Sequence, residues 1–167
     1  MQRKTFLKAA SAAMATMAIN PIAVLAQQEK KPPYQPDIVK AFVSAGHNNL
    51  MKVKEMLAEH PHLIYASWDL GNGDFEQAID GAAHVGDREI AEYLISQGAR
   101  PNIFTMTMLG ETVLVKAILE KYPSLLTSLG AHGFTLLHHA KRGGEPAREL
   151  FEFFSSKGLK EMQIKLA

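Results

Sequence analysis

The sequence contains no cysteine in 167 residues, which removes disulfide scaffolds, thiolate metal sites and thiol nucleophiles together. It also lacks a surplus of charge, since 18 Lys and Arg stand against 17 Asp and Glu for a formal net charge of +1. That balance excludes a nucleic-acid binder built on a basic face. Charged residues make up 21% of the chain and hydrophobic ones 47%, a mixture that excludes wholesale disorder. The common catalytic signatures are missing too: there is no G-x-S-x-G elbow, phosphate-binding loop, dinucleotide fingerprint or H-E-x-x-H pair. The length suits one modest domain.

What charge there is falls unevenly. Residues 1–26 carry Arg3, Lys4 and Lys8 without one acid, so the remainder holds 15 basic against 17 acidic residues and is mildly acidic. An Ala-, Met- and Leu-rich stretch from Ala9 ends at Val24-Leu25-Ala26, giving a three-part signal peptide with cleavage expected after Ala26. Ser11, Thr16 and Asn20 dilute that stretch and Pro21 breaks it, whereas a membrane span needs about 20 strongly apolar residues. Arg3-Lys4-Thr5-Phe6-Leu7-Lys8 resembles the twin-arginine export motif with Lys4 in place of the second arginine, and both that route and ordinary secretion stay open. The mature protein is expected in a bacterial periplasm or outside the cell, with no stable membrane insertion. Gln27–Pro36 is polar and proline-rich, an extended leader into the domain.

Internal repeats organise the rest. Phe75–Asn102 reads FEQAIDGAAHVGDREIAEYLISQGARPN, and Gly133–Ala140 reads GFTLLHHA. Asn48, Gly86, Gly110 and Gly144 are taken as the residues that end four successive first helices, at spacings of 38, 24 and 34. Asn48 fits that series because Asn tolerates the left-handed conformation. Leu50, Val53, Met56 and Leu57 match Thr112, Val115, Ile118 and Leu119 at a separation of 62, as Pro61 matches Pro123. Apolar residues three and four apart make one stripe per helix, and a single helix pair cannot bury that stripe without a stacked neighbour. Gly98 and Gly158 stand where C-cap glycines belong, while His60-Pro61 and Tyr122-Pro123 stop the other two second helices.

These residues resemble the ankyrin repeat, whose G-x-T-P-L-H-x-A-A-x-x-G box is matched by Gly133, Thr135, Leu137, His138 and Ala140, with Leu136 in place of the proline. The resemblance implies an all-α fold, an ankyrin solenoid of about four helix-turn-helix units near residues 37–66, 75–102, 103–126 and 133–158, followed by a tail at 159–167. Gly110 follows Gly98 at a spacing of only 12, so the finger between units two and three is expected to be short or missing. The finger over 67–74 is correspondingly long. Leu150, Phe151 and Phe154 make the last apolar stripe, and Met162, Ile164 and Leu166 alternate in a tail expected to cap the stack.

The resemblance further implies a non-enzymatic scaffold that binds a protein partner through finger tips and first helices. The partner-binding candidates are Trp68, Asp69, Asn72, Asp74, Asp80, Met106, Met108 and His132. Trp68, the one tryptophan, is either an interface anchor or a cover over the missing finger. Similar bacterial ankyrin proteins of the periplasm are associated with catalase and peroxide resistance, which implies a link to oxidative stress. No cofactor, no nucleic acid and a monomer are expected.

Metal and acid chemistry are weighed on the same residues. An EF-hand loop beginning at Asp69 fails, because its third and fifth positions are Gly71 and Gly73. Asp69, Asp74, Glu76 and Asp80 read as a solvated acidic rim rather than a catalytic pair. Among seven histidines, His138 belongs to the repeat box, and His60 and His62 flank a helix end. No zinc spacing is present. His132, His138 and His139, around the last finger, come nearest to a set, and no metal site is expected. The alternative to the scaffold is a small-ligand or metal-binding periplasmic protein using the gap near Met106, Met108 and Asp80.

Overall fold

A computed structural model describes residues 32–166; the expected signal peptide at 1–26 and half of the expected leader at 27–36 lie outside them. Among the described residues there are eight α-helices and one two-stranded hairpin, so the protein is mostly helical. Helix α1 spans Pro36–Ala45 and α2 Leu50–Glu59; α3 spans Ala78–Val85 and α4 Arg88–Ser96; α5 spans Ile103–Met108 and α6 Thr112–Lys121; α7 spans Leu136–Gly143 and α8 Arg148–Ser156. Strands β1 (Ser67–Asp69) and β2 (Phe75–Gln77) pair antiparallel, with Trp68 opposite Glu76. None of these helices is long and apolar enough to cross a membrane.

Local chemistry sets the boundaries. Asn49, Asp87, Asn102 and Thr135 each cap a helix by accepting a backbone N–H, an interaction worth about 1 kcal/mol. Gln77 and Asp80 form a reciprocal capping box at α3. His60 and Tyr122, each preceding a proline, end α2 and α6, and a 3-10 turn follows in both cases. Gly86 turns the chain at φ 85° and Gly110 at φ 76°, a region in which glycine is unstrained. Asn48 does not share that conformation: α1 ends instead through Gly46 at φ −55°, and the only non-glycine residues at positive φ among those described are Asn72 and His132. Gly46 is needed there for space, because a Cβ would run into the backbone of Ala78.

The apolar stripes meet in two clusters. One gathers Phe42, Val53, Leu63, Ile79, Ile90 and Leu94, the other Val115, Leu119, Leu136, Leu150 and Phe154. Each large side chain buried this fully contributes about 1.5–3 kcal/mol. Helix α1 packs on α3, α3 on α5, and α5 on α7, while each is also paired with the helix that follows it.

Two features depart from a regular stack. No hairpin separates α4 from α5, and α5 has only six residues. In consequence α3 and α7 also touch each other directly, and His138 Nε2 donates to the carbonyl of His84 at 2.9 Å. The tail, for its part, does not lay Ile164 and Leu166 over the last helices; both are exposed. It pairs edge-on with the segment before α7: Thr135 N–H donates to Met162 O, Ile164 N–H donates to Gly133 O, and Phe134 bridges Gln163. The apolar end is covered from this segment by Leu159 and Met162 alone.

Candidate metal centre

The pleat of β2 points Phe75 outward and Glu76 inward. A carboxylate thus occupies the buried position of a hairpin, where an apolar side chain is the rule, and its residue is 3% exposed. Three imidazoles converge on its Oε1: His47 Nε2 at 3.3 Å, His84 Nδ1 at 3.4 Å and His132 Nε2 at 3.4 Å. They come from separate segments, namely the turn after α1, the last turn of α3 and the turn before α7. Gly81 makes room for the set, since a Cβ on it would lie 2.8 Å from His47 Nδ1.

These contacts are longer than the 2.7–2.9 Å or so of a charge-assisted hydrogen bond. Glu76 Oε1 and His84 Nδ1 are both buried without a hydrogen-bond partner among the described residues. The tautomers explain why. His47 Nδ1 faces the carbonyls of Val43 and Ser44, each at 3.2 Å, and His132 Nδ1 lies 3.3 Å from Asp74 Oδ2. His47 Nδ1 donates to these carbonyls and His132 Nδ1 faces a carboxylate, so in a neutral ring with its proton on Nδ1 the Nε2 lone pair faces the Glu76 oxygen. Lone pair against lone pair in a desolvated site repels unless a cation stands between them.

Electrostatics point the same way. Burial, aided by the neighbouring imidazoles, pushes His84 down to about 3, so it is neutral and able to ligate at physiological pH. The polar contact with Glu76 raises His47 above its ordinary value, against the burial that lowers it.

Spacing defines what would fit. The edge of a tetrahedron built on zinc–nitrogen and zinc–oxygen bonds of 2.0–2.1 Å is about 3.3–3.4 Å, the length of the three contacts to Glu76 Oε1. All four donor atoms lie within 4.8 Å of one another, so closing the remaining edges needs shifts of roughly 1 Å in the half-buried His47 and His132 rings. Three imidazoles and a carboxylate suit zinc, copper, iron or nickel rather than calcium or magnesium.

Of the expected partner-binding residues, the structure joins two to this site: His132 as a donor and Asp74 as its neighbour. Asp69 and Asn72 form the exposed hairpin turn, with Gly71 N–H donating to Asp69 Oδ1 at 2.8 Å. Trp68 is half-buried on the α1 side, with Lys40 Nζ 5.9 Å above its ring, and so does not cover the missing finger. Asp80 is engaged by Gln77 N–H and by Asn102 Nδ2, and burial raises its carboxyl above the usual range. Met108 is fully buried in the core and Met106 is half-buried.

Two expectations change. Glu76 does not belong to a solvated rim, because the hairpin pleat turns it inward. His132, His138 and His139 do not form a set: His138 bonds to the His84 carbonyl, and His139 Nδ1 donates to Thr135 O at 2.8 Å. The set that does converge includes His47, Glu76 and His84, which the sequence did not single out as donors. No family model matches the chain, and no curated protein matches it.

Proposed function

We propose that this chain is an exported, ankyrin-type repeat protein that binds one divalent transition-metal ion of the zinc class through His47, Glu76, His84 and His132. The observation that carries the reading is the pair of buried, unpartnered atoms, Glu76 Oε1 and His84 Nδ1, facing one point together with two further imidazole nitrogens. Four protein donors fill a tetrahedral shell, which is the pattern of structural rather than catalytic zinc. The ion would then act as a clasp joining the turn after α1, the hairpin with α3, and the turn before α7. The repeat spacing and the basic, acid-free first 26 residues support the ankyrin and export parts of the reading.

Titration of the purified mature protein with Zn²⁺, and with Co²⁺ as a spectroscopic stand-in, tests it. One equivalent should bind, raise the melting temperature and give the intense visible bands of four-coordinate cobalt. Equal melting curves with and without metal would refute it.

A protein-binding scaffold is the second reading, favoured by Leu70 and Phe75, which stand 44% and 58% exposed on the hairpin. Paired exposed apolar residues at a finger tip suit a partner surface. Both readings hold if the clasp fixes the finger that the partner meets.

A further inference from the structure

Resting on the metal reading, we propose that Asp74 is the positioning residue of the site: it selects Nε2 of His132 as the ligating atom and holds the turn that presents it. His132 sits in the left-handed region at φ 58°, where a non-glycine residue persists only if its surroundings over-determine it. Asp74 grips both ends of this residue. Its Oδ1 accepts the His132 backbone N–H at 2.9 Å, and its Oδ2 lies 3.3 Å from the ring Nδ1.

Asp74 is itself held by the hairpin turn. Its N–H donates to Gly71 O at 3.0 Å, and its carbonyl accepts from Leu70 N–H at 2.8 Å. The far side of the His132 turn is braced by the tail, where Gln163 Nε2 donates to His132 O at 2.9 Å and Ile164 N–H donates to Gly133 O at 2.9 Å. A Cβ at residue 133 would collide with the Ile164 carbonyl, so the close approach requires Gly133.

The chemistry follows from the ring having two nitrogens. With a carboxylate at Nδ1, the proton stays there and Nε2 keeps its lone pair toward Glu76; metal-ligating histidines are ordinarily oriented by such an acceptor. An amide in the same place offers its NH2 to Nδ1, which draws the proton to Nε2 and removes the lone pair from the site. The backbone bond to Oδ1 survives that exchange, so the turn keeps its anchor.

The experiment compares wild type with D74N, reading Co²⁺ affinity, the melting temperature without metal, and the ring nitrogen shifts of His132 by NMR. Expected are a loss of affinity of about 10–100-fold, a nearly unchanged melting temperature, and a shift of His132 from the Nδ1–H to the Nε2–H tautomer. Unchanged affinity in D74N overturns the role of Asp74 while leaving the metal reading intact. Failure of wild type to bind overturns both. Should D74N not fold, the wild-type spectrum alone decides, because an Nε2–H tautomer in the metal-free protein overturns the assignment.

Discussion

Replacing Glu76 by Gln separates a metal ligand from a structural ion-pair partner, because the two roles predict opposite outcomes. Gln keeps the shape of the buried side chain but removes its charge. In the metal-free protein Glu76 is a desolvated carboxylate whose Oε1 has no hydrogen-bond partner among the described residues. Removing an unsatisfied buried charge at constant shape is neutral or stabilising, so E76Q should melt at the wild-type temperature or a few degrees above it. Metal changes the comparison. At free metal 100 times the dissociation constant, wild type gains about 2.7 kcal/mol. That corresponds to about 10 °C for a domain of this length. A hundredfold weaker site in E76Q would gain only about 0.4 kcal/mol at the same concentration, a shift of about 1–2 °C. Differential scanning calorimetry with and without Zn²⁺ measures both quantities. A metal-free E76Q that melts well below wild type yet keeps its full metal-induced shift would refute the reasoning, since Glu76 would then support the fold and not the ion.

Two further outcomes follow from the same geometry. Gly81→Ala should displace the His47 ring, whose Nδ1 and Cε1 would lie 2.8 and 2.9 Å from the new Cβ, and so weaken Co²⁺ binding at least tenfold by titration. The metal-free stability should move by less than about 1 kcal/mol, because alanine gains about that much helix propensity over glycine. Acid should destabilise the fold through His139, which burial lowers to about 4 in the folded state. Below its ordinary value of about 6.5 the unfolded chain takes up a proton that the folded one refuses, so stability falls as pH drops from about 6.5 to about 4, by about 3 kcal/mol in all. His84, lowered to about 3, and His138, also lowered by burial, add in the same direction, while His47, raised by Glu76, acts against them. Urea unfolding from pH 7 to pH 4 reads this slope, and a flat profile would contradict it.

The helical part of the architecture was legible because it is written locally. Leucine and valine spacing, cap residues and proline stops each act within a few residues, and Val53, Met56, Leu57, Val115 and Leu119 are buried on the stripes their offsets define. Asn48 was misread because a spacing argument assigned it a left-handed role that Gly46 and Asn49 make unnecessary. Glu76 carried a readable signal, an acid at the inward position of a short alternating strand, but its strand has only three residues and the period of two is barely expressed. The convergence of His47, His84 and His132 could not be read at all, since no fixed spacing joins a turn, a helix end and a distant turn.

One sequence feature nevertheless set up the site. The short link from Gly98 to Gly110 leaves no finger between α4 and α5 and allows only a six-residue α5. A full unit inserted there would hold α3 and α7 a helix diameter apart, about 10 Å. Instead the two helices touch, and His138 ties α7 to the carbonyl of His84. The turn before α7 is thereby drawn against the hairpin, where Asp74 takes hold of His132. The short link thus brings α3 directly against α7. Its effect is felt at the neighbouring hairpin, where that contact brings the last donor to Glu76.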